Sequence, residues 1–181
     1  MVIITYLNTA IVFSLIWVII RTIFALKSRK LLLKREFQLL FVYICLIVSI
    51  RFTFFPFSKV NGMIQPLILN FSRIYPFRIN LLPFINLFDY PIFQEAILNL
   101  VGNITMFIPA GIIWPLVYKE LNTPARAIFA GIGISLFIEL MQLPFYDRVT
   151  DIDDLILNTI GYLVGYSIFI LIRHIIIKAR K

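Results

Sequence analysis

Five apolar runs, at about 2–26, 37–57, 96–118, 127–145 and 155–172, constrain this chain more than any other feature. Each is close to the ~20 residues that a helix needs to cross a ~30 Å hydrocarbon layer. Lipid offers the backbone no hydrogen bonds, so segments of this kind must satisfy their own N–H and C=O groups as helices. Charges within them are few. Arg21 and Arg51 fall near the ends of the first two runs, the third has none from Ala96 to Tyr118, and the fourth holds only Glu139. Hydrophobic residues make up 61% of the 181 and charged residues 14%, against roughly 45–50% and 25% in soluble domains. The mean hydropathy is +0.95. A water-soluble enzyme, a disordered chain and a disulfide scaffold are all excluded. The expected fold is all-α: a polytopic transmembrane helix bundle of about five spans, with four spans and a peripheral first helix as the nearest competing count.

The net charge of +8 does not point to nucleic acid, because the basic residues sit in short blocks between the apolar runs. Such blocks set topology, and the cytoplasmic side carries the excess of Lys and Arg. With the N-terminus outside, 12 of the 17 basic residues face the cytoplasm, and Arg51, Lys59, Arg73, Arg78 and Arg148 face outward. An outer N-terminus and a cytoplasmic C-terminus are therefore expected. No cleaved signal peptide is expected, since the first run has no Lys or Arg before it. Cys45 is the sole cysteine, so no disulfide forms within the chain.

The organisation follows. Residues 1–57 hold two helices, and 58–95 form a segment too polar and proline-rich to span. Its aromatics, Phe71, Tyr75, Phe77, Phe84, Phe88, Tyr90 and Phe93, suit the headgroup level. It reads as an interfacial or partly re-entrant segment on the outer face. Residues 78–172 carry the remaining three spans and the polar motifs, and 173–181 form a basic cytoplasmic tail containing His174.

Polar residues inside spans are costly and therefore informative. At 100° per residue, Asp154, Asn158, Gly161 and Gly165 form one narrow stripe on the fifth span. Asn99 and Asn103 share a face of the third, and Ser135, Glu139 and Gln142 share a face of the fourth. Asn99, Glu139 and Asn158 each lie within ~6 Å of the outer end of their helix. Faces at one depth are expected to meet. Asn, Ser and Gly stripes also serve as helix–helix glue, but an intramembrane carboxylate is a functional candidate by default. In the loop 144–154, Asp151, Asp153 and Asp154 have hard oxygen ligands for a cation. The same acids match a capping box at the start of the fifth helix, with Asp153 mainly a cap, and no metal or cofactor is expected. Arg78 and Arg148 are placed to neutralise Glu139 or Asp151, or to hold a phosphate or another anion. Pro109 and Pro115 should kink the third span, and Gly111 should admit a close neighbour.

Four motifs in order then stand out: Arg78-x-Asn80-Leu81-Leu82-Pro83-Phe84; Asn99-x-x-Gly102-Asn103-x-x-x-Phe107-x-Pro109-x-Gly111; Glu139-x-x-Gln142; and Arg148-x-x-Asp151-x-Asp153-Asp154-x-x-x-Asn158-x-x-Gly161. Over about 78–166 the chain resembles the VanZ-like family, with Ala110 where the family often has Phe. The first two spans carry none of the motif residues and look like an extension of the common unit. The family is named for a membrane protein that raises resistance to the glycopeptide teicoplanin, and many members occur outside resistance clusters. The resemblance thus implies a cell-envelope phenotype and leaves the chemistry open.

Three readings follow from residues and resemblance together. The first is a non-enzymatic envelope protein binding a lipid-linked or lipopeptide-like molecule in an outer-leaflet pocket. Arg78, Asn80, Asn99, Asn103, Glu139, Gln142, Arg148, Asp151, Asp154 and Asn158 would line it. The second is an intramembrane enzyme acting on a lipid headgroup, with Glu139 as general acid or base, Asp151 assisting and Arg148 holding an anionic group. The third is a small transporter using Glu139 as its proton-coupled site. The expected partners are the lipid bilayer and that ligand.

Overall fold

The computed structural model describes residues 1–28, 32–55, 59–60, 62–71, 75–84, 93–145 and 148–179. Arg73, Phe88 and Tyr90, and the basic residues Arg29, Lys30, Arg180 and Lys181 counted above, lie outside these. Among the described residues, five helices are long and apolar enough to cross a membrane: α1 (Tyr6–Ser28), α2 (Leu33–Phe54), α3 (Phe93–Val117), α4 (Pro124–Gln142) and α5 (Ile152–Ala179). This is a multi-pass membrane protein. Pro124 opens α4 at a position where its missing N–H costs nothing. α3 remains one helix through Pro109 and Pro115. α5 runs on past the expected end of its span, so residues 173–179 are helical and continuous with it.

α5 lies against both α3 and α4, and α3 packs in turn on α2. The α3–α5 contact is the closest because glycine faces backbone. A Cβ at Gly161 would strike the Ile104 carbonyl, one at Gly165 the Ile108 carbonyl, and one at Gly111 the Tyr162 carbonyl. Small residues that let helix backbones approach drive packing where lipid is as apolar as leucine. Phe107, Ala110, Ala127, Ile138, Tyr162, Tyr166 and Phe169 fill the core around that contact. α1 is peripheral: none of its span is buried. It is joined to α2 by a 2.6 Å hydrogen bond between Ser14 and Tyr43 and by an Arg21–Glu36 ion pair.

The segment between α2 and α3 carries short strands. β1 (Val2–Ile4) pairs antiparallel with β4 (Leu67–Leu69), and β2 (Lys59–Val60) with β3 (Met63–Ile64) around Gly62, whose φ of 76° suits glycine. β5 (Ile79–Asn80) pairs parallel with β6 (Thr150–Asp151), and Leu69 bridges to Phe145. These pairings bring residues 2–4, 67–69, 79–80, 145 and 150–151 to one face of the bundle. The other face carries the C-terminal ends of α1 and α5, the start of α2 and the α3–α4 connection.

Candidate functional site

The polar stripes of α3, α4 and α5 meet just beneath the strand-bearing face. Asn103 donates its amide to Asn99 Oδ1 at 2.9 Å and to Asp154 Oδ1 across the α3–α5 contact. Asn158, one turn deeper on α5, donates to Ser135 Oγ of α4 at 3.1 Å. Glu139 is one turn from Ser135 on the same face and only 2% exposed. Its Oε2 accepts the Asp151 N–H at 3.0 Å, while its backbone carbonyl accepts the Thr150 hydroxyl at 2.9 Å. Asp154, Asp151 and Arg148 all lie within electrostatic range of the Glu139 carboxylate.

The strand pair β5–β6 lies over this cluster. Thr150 N–H donates to the Arg78 carbonyl at 3.0 Å, leaving the Arg78 side chain exposed. Asn80 donates to both oxygens of Asp151, at 3.2 and 3.1 Å, and its own Oδ1 accepts the Leu82 N–H at 3.2 Å. Leu81, Leu82 and Phe84 are left exposed on the turn.

The three acids at the start of α5 have separate tasks. Asp151 caps the helix, its Oδ1 accepting the Asp153 N–H at 2.9 Å. Asp153, expected mainly as a cap, reaches across instead to accept the Phe84 N–H at 2.8 Å. That N–H belongs to a residue with a φ of 63°. Asp154 turns to Asn103. The capping-box spacing is present in the sequence, but the non-local donor at Phe84 claims the second carboxylate. Among the described residues, no group of three His, Cys, Asp or Glu side chains converges as a metal site would require.

Two further groups come from α2. Gln142 donates to the Thr53 carbonyl at 2.6 Å, and Arg148 directs its Nε at 2.8 Å, together with a terminal nitrogen, to the Phe54 carbonyl. The end of α2 is thus part of the site. Sequence reading missed it because the contribution is two backbone carbonyls, exposed where the helix stops pairing with itself, and neither leaves a side-chain signature. Asn158 Oδ1 and Tyr162 Oη are buried and have no hydrogen-bond partner among the described residues.

The sequence pattern that defines the VanZ/LLP1 family matches residues 40–173, from within α2 to α5. Protein VanZ of Enterococcus faecium is similar, 31% identical over 71 residues, or 39% of this chain and 44% of that protein. The similarity therefore spans under half the length of that relative. No solved structure matches the chain.

Proposed function

This chain belongs to the VanZ/LLP1 family, and on that premise we propose that it is a cell-envelope protein that binds a lipid-linked or lipopeptide-like molecule at the Glu139 cluster. Binding there lowers susceptibility to the glycopeptide teicoplanin. In this reading the strand-bearing face is the outer one, in keeping with the charge asymmetry, and the C-terminus is cytoplasmic. One observation carries it. Glu139 lies in a span-length apolar helix at 2% exposure, with polar groups of α3, α4, α5 and the β5–β6 cap gathered around it. Burying a carboxylate so close to lipid costs more than packing of the bundle requires.

The test is Glu139→Gln, which keeps size and hydrogen-bonding capacity and removes the charge. Expressed at matched levels in cells lacking the native copy, the variant inserts and accumulates normally while teicoplanin protection is lost. Full protection by the variant rejects any role for the charge. The second reading, a lipid-headgroup enzyme, draws on the Glu139 and Asp151 carboxylates sharing one electrostatic environment. A change in envelope lipid composition on deletion of the gene supports it over simple binding.

A further inference from the structure

Charge balance within the cluster narrows what it takes. Glu139, Asp151, Asp153 and Asp154 gather at the α4–α5 end, and each of the last three bears on Glu139 or on Asp154 electrostatically. Even with Arg148 and Arg78 counted in full, four carboxylates face two guanidinium groups. Carboxylates buried at the edge of a membrane are relieved either by taking up protons or by a cation that brings its own N–H donors. An anionic phosphate would meet repulsion here, so Arg148 is better understood as an anchor of β6 to the end of α2.

A second, independent feature points the same way. Asn158 is 1% exposed, and its amide nitrogen is committed to Ser135 while Oδ1 has no partner among the described residues. Asn158 is one turn deeper than Asp154 on α5, and its partner Ser135 is one turn deeper than Glu139 on α4. A buried amide oxygen without a donor is costly, and a ligand N–H would satisfy it. The acids diverge towards Asn80, Phe84 and Asn103 and do not form a metal cage.

Resting on the binding function proposed above, we propose that the group recognised is a primary ammonium, seated between Glu139 and Asp154 with one N–H on Asn158 Oδ1. Its three donors match those three acceptors, whereas a quaternary ammonium has the charge and no N–H. The ammonium belongs either to a phospholipid headgroup or to a free amine.

The test uses the full chain in phosphatidylcholine nanodiscs doped with phosphatidylethanolamine or phosphatidylglycerol, with lipid retention read by native mass spectrometry. The expected result is retention of phosphatidylethanolamine at least about tenfold over the other two, a difference of about 1.4 kcal/mol. This preference collapses in Asn158→Leu and Glu139→Gln. Displacement by soluble glycerophosphoethanolamine assigns recognition to the free headgroup, and resistance to displacement assigns it to the intact lipid; both outcomes uphold the ammonium. Equal retention of phosphatidylcholine or phosphatidylglycerol overturns the proposal, as does a preference unchanged in Asn158→Leu. The wild-type comparison decides even if a variant misfolds. Teicoplanin protection that persists with no amine preference overturns this inference alone and leaves the binding function standing.

Discussion

The α3–α5 contact makes a sharp demand on Gly161. An alanine there places its methyl group within the Ile104 carbonyl, with the Ile104 carbonyl carbon and Cα also crowded. The helices must part by more than about 1 Å to restore ordinary contact. Inserting one methyl group into a well-packed interior typically costs about 1–3 kcal/mol. Intrinsic helix preference offsets up to about 1 kcal/mol of that, since alanine is the better helix former. Gly133 of α4 isolates the second effect, because a Cβ there meets nothing within 4 Å. Gly133→Ala should therefore be neutral or mildly stabilising, and Gly161→Ala less stable than it by the steric cost alone, about 1–3 kcal/mol, because the helix-preference gain is common to both. The assay is thermal unfolding in lipid nanodiscs, followed by the fluorescence of Trp17 and Trp114. Ile104 adjoins Asn103, so the displacement should also loosen the Asn103–Asp154 bond and weaken site function in parallel. If Gly161→Ala melts with Gly133→Ala, the backbone contact does not govern packing and the argument fails.

Tyr162→Phe removes a buried hydroxyl with no partner among the described residues and should leave stability in the same assay unchanged or raise it by up to about 1–3 kcal/mol; a loss would show that the hydroxyl is satisfied in the membrane. Asp151→Ala removes the α5 cap and the Asn80 bonds and should cost about 0.5–2 kcal/mol. Asp151→Asn keeps the capping oxygen and should lose less, and equal loss in the same assay would refute the capping role. For topology, a cysteine at position 147 in a Cys45-free chain should be labelled by an impermeant thiol reagent from outside intact cells, while one at position 28 should not. The reverse pattern would invert the depth assignment.

The site was legible where helical geometry alone decides it. Asn99 and Asn103 share a face because 100° per residue leaves them no alternative, and the Asp154–Asn158 stripe follows from the same arithmetic. Gly111 was identified as a point of close approach, and Tyr162 supplies the backbone it meets. What stayed hidden is non-local. Asn80 and Asp151 are 71 residues apart, and nothing periodic in 58–95 announces a two-residue parallel pairing. The carbonyls of Thr53 and Phe54 have no sequence signature at all, and the second span looked like an extension for that reason. Asp153 shows the same limit in miniature: its spacing fits a cap, and only the turn at Phe84 gives it a different partner.

The Asn99–Asn103 bond has a consequence for biogenesis. It lies within a single helix and spans one turn, so it is available as soon as α3 leaves the ribosome. Its partner across the bundle, Asp154, is 51 residues further along the chain and reaches the membrane only after α4 has been threaded. During that interval two amides on α3 face lipid. By bonding to each other they lower the cost of lateral release from the insertion machinery, and α5 on arrival needs only to offer an acceptor to a donor already in position.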